Sequence, residues 1–188
     1  METVLHDQEI IEGDVCEVRI TSGISPQEVE TLLDMAGSSG LFSSDEMMAA
    51  EDMAWGCAYQ DEDNACRFLQ AVISTPEGNK PIGFLCFTEI PHWPHNYELF
   101  GIAITPEYQR LGIGSALMAE MERMVTTAGG KRIFLETGNG RIFEKPRLFY
   151  EANGYVMENR FYRHFIPKDE SVVYCCTLTP ATEDANYH

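Results

Sequence analysis

Apolar and polar positions along the chain change period several times, and each change marks an element. The run from Val15 to Thr21 predicts a strand. A helix follows, opened by Ser25 as N-cap, Pro26 at the first helical position and Glu28 completing a capping box, and it ends near Gly37. Ser43-x-x-Glu46 is a second capping box. It opens a helix that runs to about Tyr59, with Met47, Met48, Ala50, Met53 and Ala54 as its core or cleft residues. Two strand-like runs come next, Cys66 to Ser74 and Pro81 to Glu89, with Pro76-Glu77-Gly78-Asn79-Lys80 as a hairpin loop between them. Ile90 to Tyr97 is a loop rich in Pro and aromatic residues. Glu98 to Ile104 predicts a strand, Thr105 to Gly114 a Gly-rich turn, and the stretch from about Ser115 a helix with Leu117, Met118, Met121, Met124 and Val125 at helical spacing. After Gly129-Gly130 a strand spans Arg132 to Thr137. Pro146 fits the first position of a short helix capped by Gly154. The runs Tyr155 to Phe161 and Ser171 to Leu178 form a final strand pair. The first dozen residues and the tail from Ala181 to His188 are polar ends expected to be frayed.

The order is β-α-α-β-β-β-α-β-α-β-β, an α/β chain with no repeat and no linker long enough to divide it. Its 188 residues fit one domain with a proper core, expected over about residues 14–178. No long apolar run suggests a membrane span, and the first residues show no signal-peptide pattern, so a cytoplasmic location is expected. Cys16, Cys57, Cys66, Cys86, Cys175 and Cys176 lack metal-ligand spacing and are expected to be thiols, most of them buried as small hydrophobes. The formal net charge of -17 argues against nucleic acid and acidic membrane surfaces as partners. It suits a cationic small-molecule acceptor such as an amine, although solubility alone also accounts for it.

Candidate chemistry concentrates between Glu98 and Val125. A helix N-terminus leaves its first N–H groups without intrahelical partners. Glycines just before it let a ligand approach the backbone, and together they make a phosphate cradle. Here the cradle is Gln109-x-x-Gly112-x-Gly114. No Gly-Lys-Ser/Thr follows, so it is not a nucleotide-binding P-loop. With two glycines and no ribose-binding acid it is not the dinucleotide fingerprint either.

Residues Glu98 to Ala116 resemble the acetyl-CoA-binding motif of the GNAT superfamily of N-acetyltransferases, Gln/Arg-x-x-Gly-x-Gly/Ala between the family's fourth strand and the helix after it. Downstream, Arg147-Leu148-Phe149-Tyr150-Glu151-Ala152-Asn153-Gly154-Tyr155 is similar to the Ala-x-x-Phe-Tyr-x-x-x-Gly-Phe segment that closes the cofactor cleft in that family. The two motifs occur in the family's order, with a strand between them. The resemblance implies a mixed sheet with helices on both faces, acetyl-CoA as cosubstrate, and a fourth and fifth strand that splay to admit the pantetheine arm. No metal is expected, because His92 and His95 have no third ligand nearby in the sequence. Gly101 would mark the bulge that starts the splay, or merely weaken its strand.

By that resemblance, backbone N–H groups of Gln109, Arg110, Leu111, Gly112, Ile113, Gly114 and Ser115 bind the pyrophosphate, with Arg110 adding charge. Leu111 departs from the basic residue often found there. Ile102, Ala103 and Ile104 would lie along the pantetheine arm. Asn139 would contact the cofactor's amides, or serve as a turn residue. Acetyl transfer needs a neutral amine, an acceptor for its proton, and a proton or hydrogen bond for the departing thiolate. Glu98 stands where many family members have a catalytic carboxylate and is the general-base candidate. Tyr150 aligns with the Tyr that faces the CoA sulfur and is the general-acid candidate.

The acceptor pocket would draw on Phe42, Trp55, His92, Trp93, Phe161 and Tyr162. His92 or His95 is an alternative base near neutral pH. Whole-chain similarity points to small-molecule members of the family, with a primary amine as acceptor and a homodimer as an open possibility. A non-catalytic acyl-CoA-binding sensor or scaffold on the same fold is the competing expectation.

Overall fold

A computed structural model describes residues 3–4, 17–60, 65–158 and 171–179. The expected Phe161, Tyr162 and Cys16 and the tail from Ala181 lie outside these. The described residues form eight strands and four α-helices. They are β1 (Thr3–Val4), β2 (Val18–Ser22), α1 (Val29–Ser38), α2 (Ser44–Ala58), β3 (Arg67–Thr75), β4 (Gly78–Glu89), β5 (Asn96–Ile104), α3 (Ile113–Thr127), β6 (Arg132–Gly138), α4 (Glu144–Ala152), β7 (Val156–Met157) and β8 (Ser171–Thr177). The expected order is present, with one addition. Thr3 and Val4 pair antiparallel with Ile20 and Arg19, where a frayed end was expected.

Two compact units divide these elements. The first comprises Met1–Thr88 and Phe100–Glu120, the second Glu89–Leu99 and Met121–His188, so β5 and α3 each contribute to both. In the first unit the strand order is β1-β2-β3-β4-β5. Its core is built by α1, which buries Val29, Leu32, Met35 and Ala36 on one stripe, and by Ala54 of α2, against Phe68, Phe84, Cys86 and Ala103. Met48 does not join them. It is 67% exposed on the outer face of α2. The Ser43 capping box forms as expected, with the Ser43 Oγ accepting from Glu46 N and Glu46 Oε2 accepting from Ser43 N at 2.7 Å. At Ser25 the expected box does not form. Ser25 N and Oγ both donate to Glu28 Oε2 at 2.7 Å, Glu28 N donates to the Ser25 carbonyl instead of its hydroxyl, and the helix starts at Val29 with Glu28 in the N-cap place.

The β3–β4 hairpin is tighter than expected. Thr75 pairs with Gly78 across Pro76-Glu77, and Gly78 takes a φ of 123° that other residues disfavour. Farther along, Ala71 pairs with Gly83 but Val72 with Pro81, leaving Ile82 as the extra residue of a bulge. A proline donates no ladder hydrogen bond, so a bulge accommodates it inside a strand. The bulge has a consequence for β5. The Ile82 carbonyl accepts from both the N–H (2.9 Å) and the Oγ1 (3.1 Å) of Thr105, fixing the residue that ends the strand and begins the Gly-rich turn.

The second unit has the order β5-β6-β8-β7. β5 runs parallel to β6 only from Asn96↔Arg132 to Glu98↔Phe134, whereas β6 pairs with β8 along its whole length. Side chains in register share a face of the sheet. One face therefore carries Glu98, Phe134 and Cys175 in one row and Glu136 and Val173 in the next. The other face carries Leu135 and Tyr174, and α4 packs there through Tyr150 and Glu151. The end of α4 is a Schellman motif: Gly154 N donates to Glu151 O, and Tyr155 N to Tyr150 O, with Gly154 at φ 85°. α4 starts at Glu144, so Pro146 sits within the first turn, where its missing N–H costs nothing.

Candidate active site

In the first unit the turn after β5 is held open by its own hydrogen bonds. Pro106–Tyr108 forms one 3-10 turn, and the Gln109 side-chain amide donates to Ile104 O at 2.9 Å. Gln109 N donates to Pro106 O, so Gln109 shapes the loop and the open run of donors starts one residue later. Arg110 and Gly112 both adopt left-handed backbone, at φ 65° and 75°. Such a conformation is strained in a residue with a Cβ and points to a shape imposed by the loop. α3 begins at Ile113, two residues earlier than its periodicity suggests, because Gly112 takes the N-cap place and its carbonyl accepts the first helical bond, from Ala116 N at 3.0 Å. The backbone N–H groups from Arg110 to Ser115 have no acceptor among the described residues. A bare run of donors at a helix start fits an anionic phosphate. Arg110 and Leu111 are exposed beside it.

The strand leading into this loop is lined by close approaches. A Cβ on Gly83 would collide with Ile104 Cδ1, and a Cβ on Gly101 would stand 2.8 Å from the Phe42 ring. Gly101 is thus the place where Phe42 seats on β5. Phe42 and Trp55 pack against the α1–α2 core, and Trp55 stacks on exposed Tyr59 at 5.8 Å. Ala103 is buried, while Ile102 and Ile104 are half-buried.

In the second unit, Glu98 is half-buried. Burial pushes its carboxyl above the usual carboxylate range, and the charge of Glu136 adds to the rise. The Ser171 hydroxyl donates to Glu136 Oε1. Trp93 lies on the same face, stacked on Phe134 at 5.1 Å and packed with Ile90, Val173 and Cys175. His92 and His95 are exposed in left-handed backbone at φ 61° and 65°.

Tyr150 stands on the opposite face, among Phe149, Tyr155 and Tyr174 at centroid distances of 5.5, 6.4 and 6.4 Å. Burial lifts its hydroxyl to about 12, so the phenol stays protonated through neutral pH. That hydroxyl has no hydrogen-bond partner among the described residues. No described contact joins Glu98 to Tyr150. Asn139 is exposed in a turn that Arg147 braces by donating to Gly138 O (2.8 Å) and Gly140 O (3.1 Å), and the Asn139 amide makes no bond within that turn.

Glu136, Ser171, Thr105 and Arg147 did not stand out from the sequence. Only Glu136 had a legible mark, a carboxylate directly after the apolar run Ile133-Phe134-Leu135. Among the described residues no group of three His, Cys, Asp or Glu side chains could hold a metal ion, and no helix is long and apolar enough to cross a membrane. The five described cysteines carry free thiols.

A strand feeding a Gly-rich turn and a donor-rich helix start, on a mixed sheet, defines an acyl-CoA-type acetyltransferase fold. Residues 36–155 match the family model described as the Acetyltransferase (GNAT) family, and the chain belongs to that family. Solved structures agree. A Desulfovibrio desulfuricans protein placed in the GNAT family by its description is 25% identical, with a TM-score of 0.74 over 86% of this chain and 99% of that one. The PaiA N-acetyltransferase of Thermoplasma acidophilum, in complex with coenzyme A, shares 20% identity with a TM-score of 0.64, covering 85% and 98%. A spermidine N-acetyltransferase chimera from Vibrio cholerae and hSSAT shares 17% identity with a TM-score of 0.61, covering 85% and 95%. No curated protein sequence matches the chain.

Proposed function

We propose that the chain transfers an acetyl group from acetyl-CoA to a primary amine by direct attack, with Glu98 as general base and Tyr150 as general acid. The observation that carries this is the state of Glu98: a half-buried carboxylate whose proton affinity is raised, on the strand that runs into the loop. A base whose proton affinity lies nearer neutrality accepts the ammonium proton more readily than an ordinary carboxylate does. Tyr150 keeps its proton through neutral pH and can give it, or a hydrogen bond, to a departing thiolate. Acetyl-CoA supplies the activated thioester. The N–H groups from Arg110 to Ser115 would take its pyrophosphate, the backbone of Ile102 to Ile104 its pantetheine arm, and Asn139 an amide of that arm.

The acceptor side has support of a coarser kind. The formal net charge of -17 favours approach of a cation. Trp93 presents an indole on the Glu98 face, where an aromatic ring can hold an ammonium group. A neighbouring fold acts on spermidine by its description, which makes polyamines the first class to try.

The test is release of CoA thiol from acetyl-CoA with a panel of amines, run beside thermal shift with CoA. Stabilisation by CoA together with turnover on one amine class is the expected result. Stabilisation with no turnover on any class would favour a sensor or scaffold instead, and no stabilisation would remove the loop from the account.

A further inference from the structure

We propose that Glu136, fastened by the Ser171 hydroxyl one row from Glu98 on the same face, is a positioning residue that helps keep Glu98 ready to take a proton. The inference rests on Glu98 being the proton acceptor of the proposed reaction. It begins with register. Glu98 pairs with Phe134 in the parallel ladder, so Glu136 projects from the same face one row farther along β6. Ser171 pairs with Gly138, one row beyond, and its hydroxyl reaches back to Glu136 Oε1. Three strands thus place two carboxylates and a hydroxyl donor along one diagonal.

The surroundings give that diagonal its effect. Ile90, Trp93, Phe134, Val173 and Cys175 form an apolar cluster on the same face, and a low local dielectric strengthens repulsion between like charges. The Ser171 hydroxyl holds Glu136 in place on this face, and a charge there makes a charge on Glu98 costlier.

Other charged or titratable groups surround this face. Arg132 stands on it in register with Asn96, beyond the Glu98 row on the side away from Glu136. Cys175 shares the Glu98 row, and burial pushes its thiol up to about 11, so it is neutral at pH 7. Glu158 follows β7, and its N–H donates to Val173 O. Glu89 ends β4 and His95 lies in the loop before β5, and Glu89 Oε1 accepts from His95 N. Of these, Glu136 adds to the rise that burial gives Glu98.

Two readouts test the device. The first is a 13C titration of the Glu98 side-chain carboxyl in the full chain, assigned by its loss in E98Q. The second is the acid limb of the kcat/KM profile with the best amine of the panel. E136Q should move both to lower pH by roughly 0.5–1 unit, because the opposing charge is gone. E136D should restore them towards the parent, and S171A should move them in the same direction as E136Q by less. A packing role for Glu136 would change KM or stability without moving the limb.

Equal Glu98 titrations in the parent and E136Q would overturn the proposal. So would an E136Q variant as inactive as E98Q at every pH, since Glu136 would then be the proton acceptor. The titration needs no turnover. If E98Q kept full activity the base assignment would fall, and a downward move of Glu98 in E136Q would still support the coupling.

Discussion

The Gly-rich loop and the carboxylate face solve different problems with different parts of the chain. The loop, Thr105 to Ser115, works through backbone. Its donors are N–H groups, its shape comes from left-handed Arg110 and Gly112, and its side chains mostly point to solvent. The carboxylate face works through side chains delivered by register from β5, β6 and β8. A backbone site tolerates side-chain changes and is sensitive to glycine and to conformation. A register site tolerates loop changes and is sensitive to one atom on one side chain. Substitution should separate the two regions cleanly.

The largest effect belongs to the carboxylate face. Glu98→Gln keeps shape and removes the base, and kcat/KM should fall about 10²–10⁴-fold with the far-UV circular dichroism spectrum unchanged. A fall below tenfold would mean that the proton leaves by another route, with His92 and His95 next to be replaced. Tyr150→Phe should lower kcat by about 10–10²-fold, a loss at the low end of general acid catalysis, and should leave the acetyl-CoA KM near the parent value. If KM rises while kcat holds, Tyr150 only packs.

The loop should answer differently. Gly112→Val places a β-branched residue at φ 75°, where the strain is about 1–3 kcal/mol. The expected result is a raised acetyl-CoA KM with the amine KM unmoved. Arg110→Ala should raise the acetyl-CoA KM only a few-fold, since most donors are backbone. A loss as large as that of Glu98→Gln would show that side-chain charge, not backbone, holds the phosphates.

A smaller effect tests packing within the first unit. A Cβ at Gly101 would meet the Phe42 ring at 2.8 Å, so Gly101→Ala should cost about 1–3 kcal/mol in denaturant unfolding. The double variant with Phe42→Leu should recover part of that loss. The smallest effect is one of stability against pH. Glu98 binds its proton more tightly when folded than when unfolded. Its contribution to stability is therefore fully present below the ordinary carboxylate pKa and is lost as pH rises through the raised value. Glu98→Gln should remove that loss and melt slightly above the parent at pH 7, while the two converge in acid. Equal melting temperatures at both pH values would mean that Glu98 is not desolvated.

The contrast also explains what could be seen before folding. The loop is local. Gln109, Gly112 and Gly114 lie within a few residues of one another, and the rule linking glycine to a helix start needs no partner from elsewhere. The Ser43 capping box and the helix stop at Gly154 were legible for the same reason. Boundaries slipped where turn geometry, and not residue pattern, sets the end of an element. β4 begins at Gly78 because the hairpin closes in two residues, and α3 begins at Ile113 because Gly112 is free to take a left-handed turn as its cap. Met48 has the composition of a core residue but falls on the exposed side of α2, since α2 buries only the narrow Ala50–Ala54 stripe. The companions of Glu98 were hidden altogether. Glu136 is 38 positions away and Ser171 another 35, and only the pairing of β5 with β6 and of β6 with β8 puts them on one face.

The most direct check of the central claim is the pH dependence of kcat/KM for acetyl-CoA and the best amine, measured for the parent and Glu98→Gln. The parent should show an acid limb above the ordinary carboxylate range, and the variant should lose both that limb and at least a hundredfold in rate. A Glu98→Gln variant with the parent's limb and the parent's rate would contradict the assignment of Glu98 as the base.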